Sequence, residues 1–195
     1  EIGDMAFFMC FDLESVKLPD TLKVVGKGAF QYDEALTECE LPKGLETVKD
    51  SAFFGAENWT GVDRIPSTVK TIGAYGFAEC KGSKLTIPEG ITKIEEFSFW
   101  GYEEGLEEIN LPSTLKIIGN SAFSWAKDVK KLVIPEGVTS IGAEAFARLD
   151  SLESLTLPSM LQEIGSKAFM GKEGSNMLKS VYIPSSVTSI ADDAF

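Results

Sequence analysis

Two stretches of the chain decide its fold: residues 129–146 read VKKLVIPEGVTSIGAEAF, and residues 152–169 read LESLTLPSMLQEIGSKAF. Each stretch places a branched apolar residue directly before a proline and further apolar residues three and six positions after it. Each ends on an Ala-Phe pair whose phenylalanine stands eleven positions after the proline. This number of matches at fixed offsets indicates two copies of one structural unit.

The same unit recurs from one end of the chain to the other. All eight prolines share one register, at intervals of 22 to 26 residues: Pro19, Pro42, Pro66, Pro88, Pro112, Pro135, Pro158 and Pro184. A phenylalanine follows each of them at the same distance: Phe30, Phe53, Phe77, Phe99, Phe123, Phe146, Phe169 and Phe195. The periodicity predicts a single solenoid domain over residues 1–195, built from about eight repeats.

The chemistry of the unit indicates what each part of a repeat forms. Residues 152–157 alternate apolar and polar side chains at their end, as a strand with one buried face does, and Pro158 has no N–H with which to continue that strand. A second extended piece follows, and in most repeats a glycine comes after it. Polar residues such as Asp50 and Asn120, three positions before the phenylalanine, predict the N-cap of a short helical turn. We therefore expect an α/β repeat solenoid that is rich in strands, with a parallel sheet and short helical turns.

Three departures from the repeat carry predictions of their own. Residues 59–66 hold one residue more than the equivalent segments, which predicts a β-bulge. Residues 171–176 are rich in Gly, Ser and Asn and exceed the repeat length, which predicts a protruding, mobile loop. Neither end carries the polar capping repeat typical of solenoids, so we expect the chain to be a piece of a longer protein.

Charge and hydropathy narrow the classes of partner. The chain has 30 acidic and 18 basic residues and a net charge of −12, which disfavours nucleic acid and anionic membrane surfaces as partners. No apolar run approaches the roughly 18 to 20 residues of a membrane span. A signal-peptide pattern is not present at the start of the sequence.

Catalytic chemistry is poorly supported by the residues present. Histidine is absent, which removes the commonest general base and a frequent metal ligand. The acidic cluster formed by Glu103, Glu104, Glu107 and Glu108 lacks the Asp and Asn alternation of a calcium loop and is interpreted as a solvated loop. We therefore predict no enzymatic activity, no cofactor and no metal site.

The three cysteines are interpreted as unpaired. Cys39 occupies a column that other repeats fill with Val, Ile or Leu, so we expect a buried, small hydrophobic side chain. Cys10 and Cys80 lie three turns apart, which corresponds to roughly 14 Å at ordinary strand spacing and is too far for a disulfide.

With these columns in view, the repeat closely resembles the BspA-like, or Treponema pallidum-type, leucine-rich repeat, and the resemblance covers essentially the whole chain. It implies a right-handed superhelix with one strand per turn on a concave side. It also implies a bacterial protein that is secreted or lies at the cell surface, with adhesion or binding of a host protein as the commonest role.

We predict that binding uses the outward positions two and four residues before each proline, on the concave parallel sheet. The candidate residues are Glu38, Glu40, Arg64, Lys84, Thr86, Glu108, Asn110, Lys131, Ser180 and Tyr182. The expected partner is a protein or a glycan of a host or neighbouring cell. A structural spacer that projects another domain from the cell surface is the alternative, and a solvated sheet without a partner fits the same strip.

The three tryptophans occupy different positions in the repeat. Trp59 stands at a core position of its repeat. Trp100 and Trp125 follow the phenylalanine at different offsets and either pack between turns or act as exposed binding anchors.

Overall fold

The computed structural model describes residues 1–172 and 177–195, which form a solenoid of short parallel strands. Its strands are β1 (Val24–Val25), β2 (Thr47–Val48), β3 (Thr71–Ile72), β4 (Lys84–Thr86), β5 (Lys93–Ile94), β6 (Glu108–Asn110), β7 (Ile117–Ile118), β8 (Lys131–Val133), β9 (Ser140–Ile141), β10 (Ser154–Thr156), β11 (Glu163–Ile164) and β12 (Ser189–Ile190). The mobile loop predicted at 171–176 lies for the most part outside the described residues.

The strands that follow the prolines form the longer sheets. One sheet has the order β1-β2-β3, and another has the order β12-β11-β9-β7-β5, with every pair parallel. In the second sheet Ile94 is in register with Ile118, and Ile118 with Ile141. These isoleucines are buried, so the column six residues after proline forms a core face as its apolar composition predicts.

The strands that precede the prolines pair two by two. β4 pairs with β6, β8 pairs with β10, and a single bridge joins Ser15 to Glu38. All of these pairs are parallel, as predicted. Their division into separate pairs differs from the single sheet that the regular spacing predicts.

The extra residue in the third repeat is absorbed by a 3₁₀ helix, Gly61–Arg64, and the predicted β-bulge is wrong. The fully buried indole of Trp59 stacks on Phe53 with ring centroids 4.3 Å apart, and its Nε1 donates a hydrogen bond to the Cys39 carbonyl over 2.8 Å. The indole N–H of Trp59 thus satisfies the Cys39 carbonyl of the neighbouring turn, while the backbone of residues 61–64 forms a 3₁₀ helix and not a strand. The core position predicted for Trp59 is confirmed.

The phenylalanine column forms a continuous stack through the core. Successive rings lie from 4.9 Å (Phe7 to Phe30) to 5.8 Å (Phe77 to Phe99) apart, with interplanar angles of at most 22° in this stack. A backbone ladder accompanies the rings: the Phe123 N–H, for example, donates to the Ala145 carbonyl over 2.8 Å. The ladder holds neighbouring rings at the separation of offset stacking.

The segments around these phenylalanines are β-turns, so the predicted helical turns are wrong there. In the repeat of Phe146, the Ala145 N–H donates to the Gly142 carbonyl over 3.3 Å, and Glu144, the third residue of that turn, has φ of 55°. A type II turn requires positive φ at that place. The same backbone recurs two residues before every phenylalanine of the column, at Met5, Gly28, Ser51, Tyr75, Phe97, Ser121, Glu144, Lys167 and Asp193.

The polar residues expected as N-caps bridge neighbouring turns instead. Asp50 Oδ1 accepts a hydrogen bond from the Ala74 N–H over 3.1 Å, and Asn120 Oδ1 accepts one from the Ala143 N–H over 2.9 Å. Each donor lies in the following repeat. Polarity at this column therefore stabilises the stacking of turns, since no helix begins there.

Glycine follows the second strand because the preceding turn comes very close. A Cβ on Gly165 would lie 2.5 Å from the Ala143 nitrogen and from the Gly142 carbonyl carbon, although Gly165 itself has no positive φ. A Cβ on Gly3, at the same column, would meet nothing within 4 Å. The close approach at this column thus depends on the presence of a preceding turn.

Candidate binding face

The structure places the predicted binding residues at the surface, on what we call the pre-proline face. Nine of the ten candidates are exposed and Asn110 is half-buried. Lys84, Thr86, Glu108, Asn110 and Lys131 lie on strands β4, β6 and β8, where the alternation of the strand turns them away from the core.

The central candidates form one hydrogen-bonded cluster. Register places Lys84 beside Glu108, and the Lys84 Nζ lies 3.0 Å from Glu108 Oε1. Asn110 Nδ2 donates to the same carboxylate oxygen over 2.8 Å and lies 3.3 Å from Thr86 Oγ1. The hydrogen bond from Asn110, and then that from Lys84, lower the pKa of Glu108. In this part of the face, the positive charge of Lys84 and the negative charge of Glu108 therefore pair with each other.

The N-terminal candidates line a cleft. Glu38 and Glu40 line one part of it, Arg64 of the 3₁₀ helix lines another, and the volume is about 830 Å³. Asp63, also in the lining, accepts hydrogen bonds from the backbone N–H groups of Ser83 and Lys84, over 3.0 and 3.2 Å. Three of the predicted residues, Glu38, Glu40 and Arg64, therefore line one cleft beside the 3₁₀ helix. Their spacing in the sequence does not reveal this cleft.

A second cleft, of about 790 Å³, lies between the two strand pairs. Glu108 and Asn110 contribute to one part of its lining, and Lys131 contributes to another. Val133 is exposed beside them. The open seam between β6 and β8 thus joins the central candidates to Lys131.

The two C-terminal candidates are not joined to the rest by strand pairing. Ser180 and Tyr182 lie in a described segment without strand structure, and Tyr182 is 79% exposed. An aromatic ring so exposed is available to a partner, but the structure does not place it in either cleft.

Of the two remaining tryptophans, Trp125 contacts the following repeat, in keeping with packing between turns, whereas Trp100 contacts a ring of its own repeat. Trp100 meets Phe97 edge to face with ring centroids 6.4 Å apart. Trp125 lies under Arg148, 4.1 Å from its guanidinium carbon, and under Lys127, whose Nζ is 5.0 Å from the ring.

Residue-by-residue reasoning missed a row of aromatic side chains outside the phenylalanine stack. We call it the aromatic band: Phe8, Tyr32, Phe54, Tyr75, Phe97 and Trp100, all half-buried. The signal was present, because a large ring occurs near the core phenylalanine in each of the first five repeats. It occupies three different offsets, however, so an alignment by columns does not display it.

Buried ionisable groups are few, and Asp33 is the clearest. Its side chain is fully buried; Oδ1 accepts a hydrogen bond from the Cys10 N–H over 2.9 Å, and Oδ2 has no protein partner. Burial raises the pKa of Asp33 to about 6, against the opposing effect of that hydrogen bond. Burial likewise raises the pKa of the Cys39 thiol to about 12, and Cys39 is buried as predicted.

Over residues 1–172 and 177–195, no group of three or more Cys, Asp and Glu side chains is arranged to hold a metal ion. None of the helical structure in the described chain has the length and apolar character of a membrane span.

The repeat and its stacked turns define a class of protein, the leucine-rich-repeat solenoids. The family model of the BspA type leucine-rich repeat region, with six copies, matches residues 1–80 and 58–176. The chain therefore belongs to the BspA-type leucine-rich repeat family.

Solved structures agree with this assignment. A leucine-rich repeat protein from Bacteroides ovatus matches with a TM-score of 0.87 and 26% identity, over 97% of this chain and 48% of that protein. The chain thus spans about half the length of that relative. The leucine-rich repeat protein of Treponema pallidum matches with a TM-score of 0.50 and 20% identity, over 88% of this chain and 71% of the other, which shows the fold alone. No curated protein shows significant similarity to the chain.

Proposed function

We propose that the chain is a non-catalytic recognition module that binds a protein or glycan through the pre-proline face. The observation that supports this is a pair of clefts along that face, each of which collects charged side chains from different turns. Concave clefts with a few convergent polar groups are the usual form of a binding site.

The backbone around these residues favours recognition because it is held in place before any partner arrives. Lys84 and Glu108 stand on paired strands, and Asp63 fixes the 3₁₀ helix against the start of β4. A partner that binds preformed groups loses less conformational entropy than one that must order a flexible loop. The proposal also includes a concave arrangement of this face and a position at the cell surface, both of which the family resemblance implies.

A structural spacer is the second candidate, and one observation favours it. The central cluster of Lys84, Glu108 and Asn110 satisfies its own charges and hydrogen bonds, which leaves fewer free groups for a ligand. A spacer needs only a regular stack, and the phenylalanine column provides one.

A binding screen separates these two functions. The chain is tested against immobilised matrix proteins, serum proteins and a glycan panel, beside a Lys84→Glu/Tyr182→Ala variant. A control Lys116→Glu/Ile117→Ala variant makes the same charge change and removes one large side chain at exposed positions, the first directly before β7 and the second on it. Recognition predicts a partner whose binding is lost in the first variant and kept in the second. Absence of any partner, or equal effects of both variants, would favour the spacer.

A further inference from the structure

The aromatic band runs across the first five repeats beside the phenylalanine stack. Its ring centroids are separated by 6.3 Å (Phe8 to Tyr32), 5.2 Å (Tyr32 to Phe54), 5.5 Å (Phe54 to Tyr75), 4.6 Å (Tyr75 to Phe97) and 6.4 Å (Phe97 to Trp100). The core phenylalanines from Phe30 to Phe123 are fully buried, whereas every ring of the band is half-buried. The band is therefore an ordered apolar surface that the chain itself leaves partly open.

Most neighbouring rings of the band are tilted relative to each other, and the ring of Tyr32 rests on the backbone of the next turn. Phe54 is inclined by about 50° to both Tyr32 and Tyr75, so these neighbours cannot fully cover each other's faces, whereas Tyr75 and Phe97 are stacked with an interplanar angle of 6°. A Cβ on Gly55 would lie 2.6 Å from Tyr32 Cδ1, which places the tyrosine ring directly on the backbone of the next turn. Such rings are held in position and present parts of their electron-rich faces to solvent.

Carboxylates border the band without cationic partners of their own. Glu79 lies over Gly101, where a Cβ would come within 2.9 Å of its Cγ, and burial with the nearby charges of Glu57 and Glu103 raises its pKa. Glu96 is close enough to Tyr75 to raise the pKa of that phenol, after the larger effect of burial. Among the described ion pairs, none involves Glu57, Glu79 or Glu96.

In the turns that follow the band, cationic side chains of the chain itself cover an aromatic ring. Trp125 is covered by the guanidinium of Arg148, and Arg148 Nε in turn lies 3.2 Å from Asp150 Oδ1. Lys127 lies over the same ring and pairs with Glu103 over 2.7 Å. Ring, cation and carboxylate thus occur together where the chain supplies the cation. At the aromatic band, rings and carboxylates are likewise close together, but none of the described cation–π contacts involves a ring of the band.

We propose that the aromatic band is an interaction surface for an extended, arginine-rich segment of another protein. Guanidinium groups stack on aromatic faces and bind carboxylates in a bidentate manner, so one side chain serves both features. The net charge of −12 favours the approach of such a segment. The site is separate from the pre-proline face, and it stands whether or not that face binds a partner.

Titration with a nona-arginine peptide, followed by calorimetry at physiological salt, tests this surface. The variant Phe54→Gln/Phe97→Ser leaves the charge unchanged and uses residues that the chain already carries at these offsets, as at Gln31 and Ser51. We expect its affinity to fall about tenfold, since two cation–π contacts are lost. Binding equal to that of the unmodified chain would overturn the proposal.

Two further comparisons separate a site from general attraction between a polycation and an acidic protein. Glu79→Gln/Glu96→Gln should weaken binding several-fold more than Glu153→Gln/Glu163→Gln, which removes the same charge at exposed positions elsewhere. Equal weakening by the two pairs would contradict a site at the band.

A variant that is expected to strengthen binding distinguishes the loss of a binding site from a general folding defect, because a folding defect would weaken binding. Arg148→Gly removes the cation over Trp125 and introduces glycine, which Gly55 and Gly101 already provide at this offset with positive φ. It should bind nona-arginine more tightly, because the cation nearest to Trp125 is removed and only Lys127, 5.0 Å from the ring centroid, remains over it. Unchanged or weaker binding would count against the mechanism.

Discussion

Replacing Asp33 by asparagine should stabilise the protein at neutral pH. Asp33 is fully buried, and its Oδ2 has no protein hydrogen-bond partner. A buried polar group without a partner costs about 1–3 kcal/mol, and more when it is charged. Asparagine retains the acceptor for the Cys10 N–H, which lies 2.9 Å from Oδ1, and removes the charge. The gain comes from removing the charge, because a pKa raised from 3.8 to about 6 corresponds to roughly 3 kcal/mol at this pH. The amide N–H groups that replace Oδ2 also lack a partner and return part of that gain, so we expect the free energy of unfolding at pH 7.5 to rise by about 1–3 kcal/mol.

The effect should depend on pH in a defined direction. The pKa of Asp33 is raised to about 6 in the folded protein, above the ordinary value of 3.8. A raised pKa means that the folded state holds the proton more tightly, so the native chain gains stability as the pH falls from about 6 towards 4. Asparagine does not titrate. The advantage of the variant should therefore be largest above pH 6 and should shrink between pH 6 and pH 4.

Urea unfolding at pH 7.5 and at pH 4.5 measures both expectations. Asp20→Asn, at an exposed position, controls for the loss of one negative charge. The reasoning is refuted if Asp33→Asn is neutral or destabilising at pH 7.5, or if its effect is the same at both pH values. An equal gain from Asp20→Asn would show that net charge, and not burial, is responsible.

Three further substitutions test the packing of the turns. Gly165→Ala should lower the free energy of unfolding by about 1–3 kcal/mol because its methyl group meets backbone at 2.5 Å, whereas Gly3→Ala in the same column should have almost no effect in the same urea titration. Trp59→Phe should cost about 1–3 kcal/mol, since the Cys39 carbonyl loses its indole donor, and a thermal melt that is unchanged would contradict that role. Glu144→Gly should stabilise by about 1 kcal/mol because glycine adopts φ of 55° without strain; a destabilised protein in chemical denaturation would show that the positive φ costs little.

The ladders were predictable because their residues recur at constant distances from a proline. Ile118 and Phe123 belong to columns that hold the same kind of side chain in most repeats, and both are buried in the positions that the columns imply. The outward positions of the pre-proline strands were predictable for the same reason, since strand alternation alone sets their direction.

The turns were not predictable, because their backbone contradicts local preference. Tyr75, Phe97 and Lys167 adopt φ near 55°, a conformation that side chains of these types rarely choose by themselves. Tertiary context imposes it: the Tyr75 N–H must meet the Glu96 carbonyl of the next turn, 3.3 Å away. A polar residue near such a turn then resembles a helix cap, as Asn120 does, although it bonds across turns.

The third repeat shows a different limit. One additional residue can be absorbed by a bulge or by a tighter coil, and strand propensity alone favours the bulge. The coil occurs because Trp59 supplies a donor to the Cys39 carbonyl, which releases the local backbone from the ladder. The cleft beside Arg64 follows from that exchange, so neither the cleft nor its lining could be inferred from spacing.

These departures from the repeat also determine where binding is expected. The ladder hydrogen bonds join each turn to its neighbours, and together with the buried columns they maintain the stack while outward positions vary from turn to turn. A surface such as the aromatic band can then draw its rings from several offsets without disturbing the stack, and it stops where Ser121, Ser124 and Ala147 replace large side chains. Substitutions that restore the small or polar residues of other repeats should therefore remove binding while leaving the fold intact.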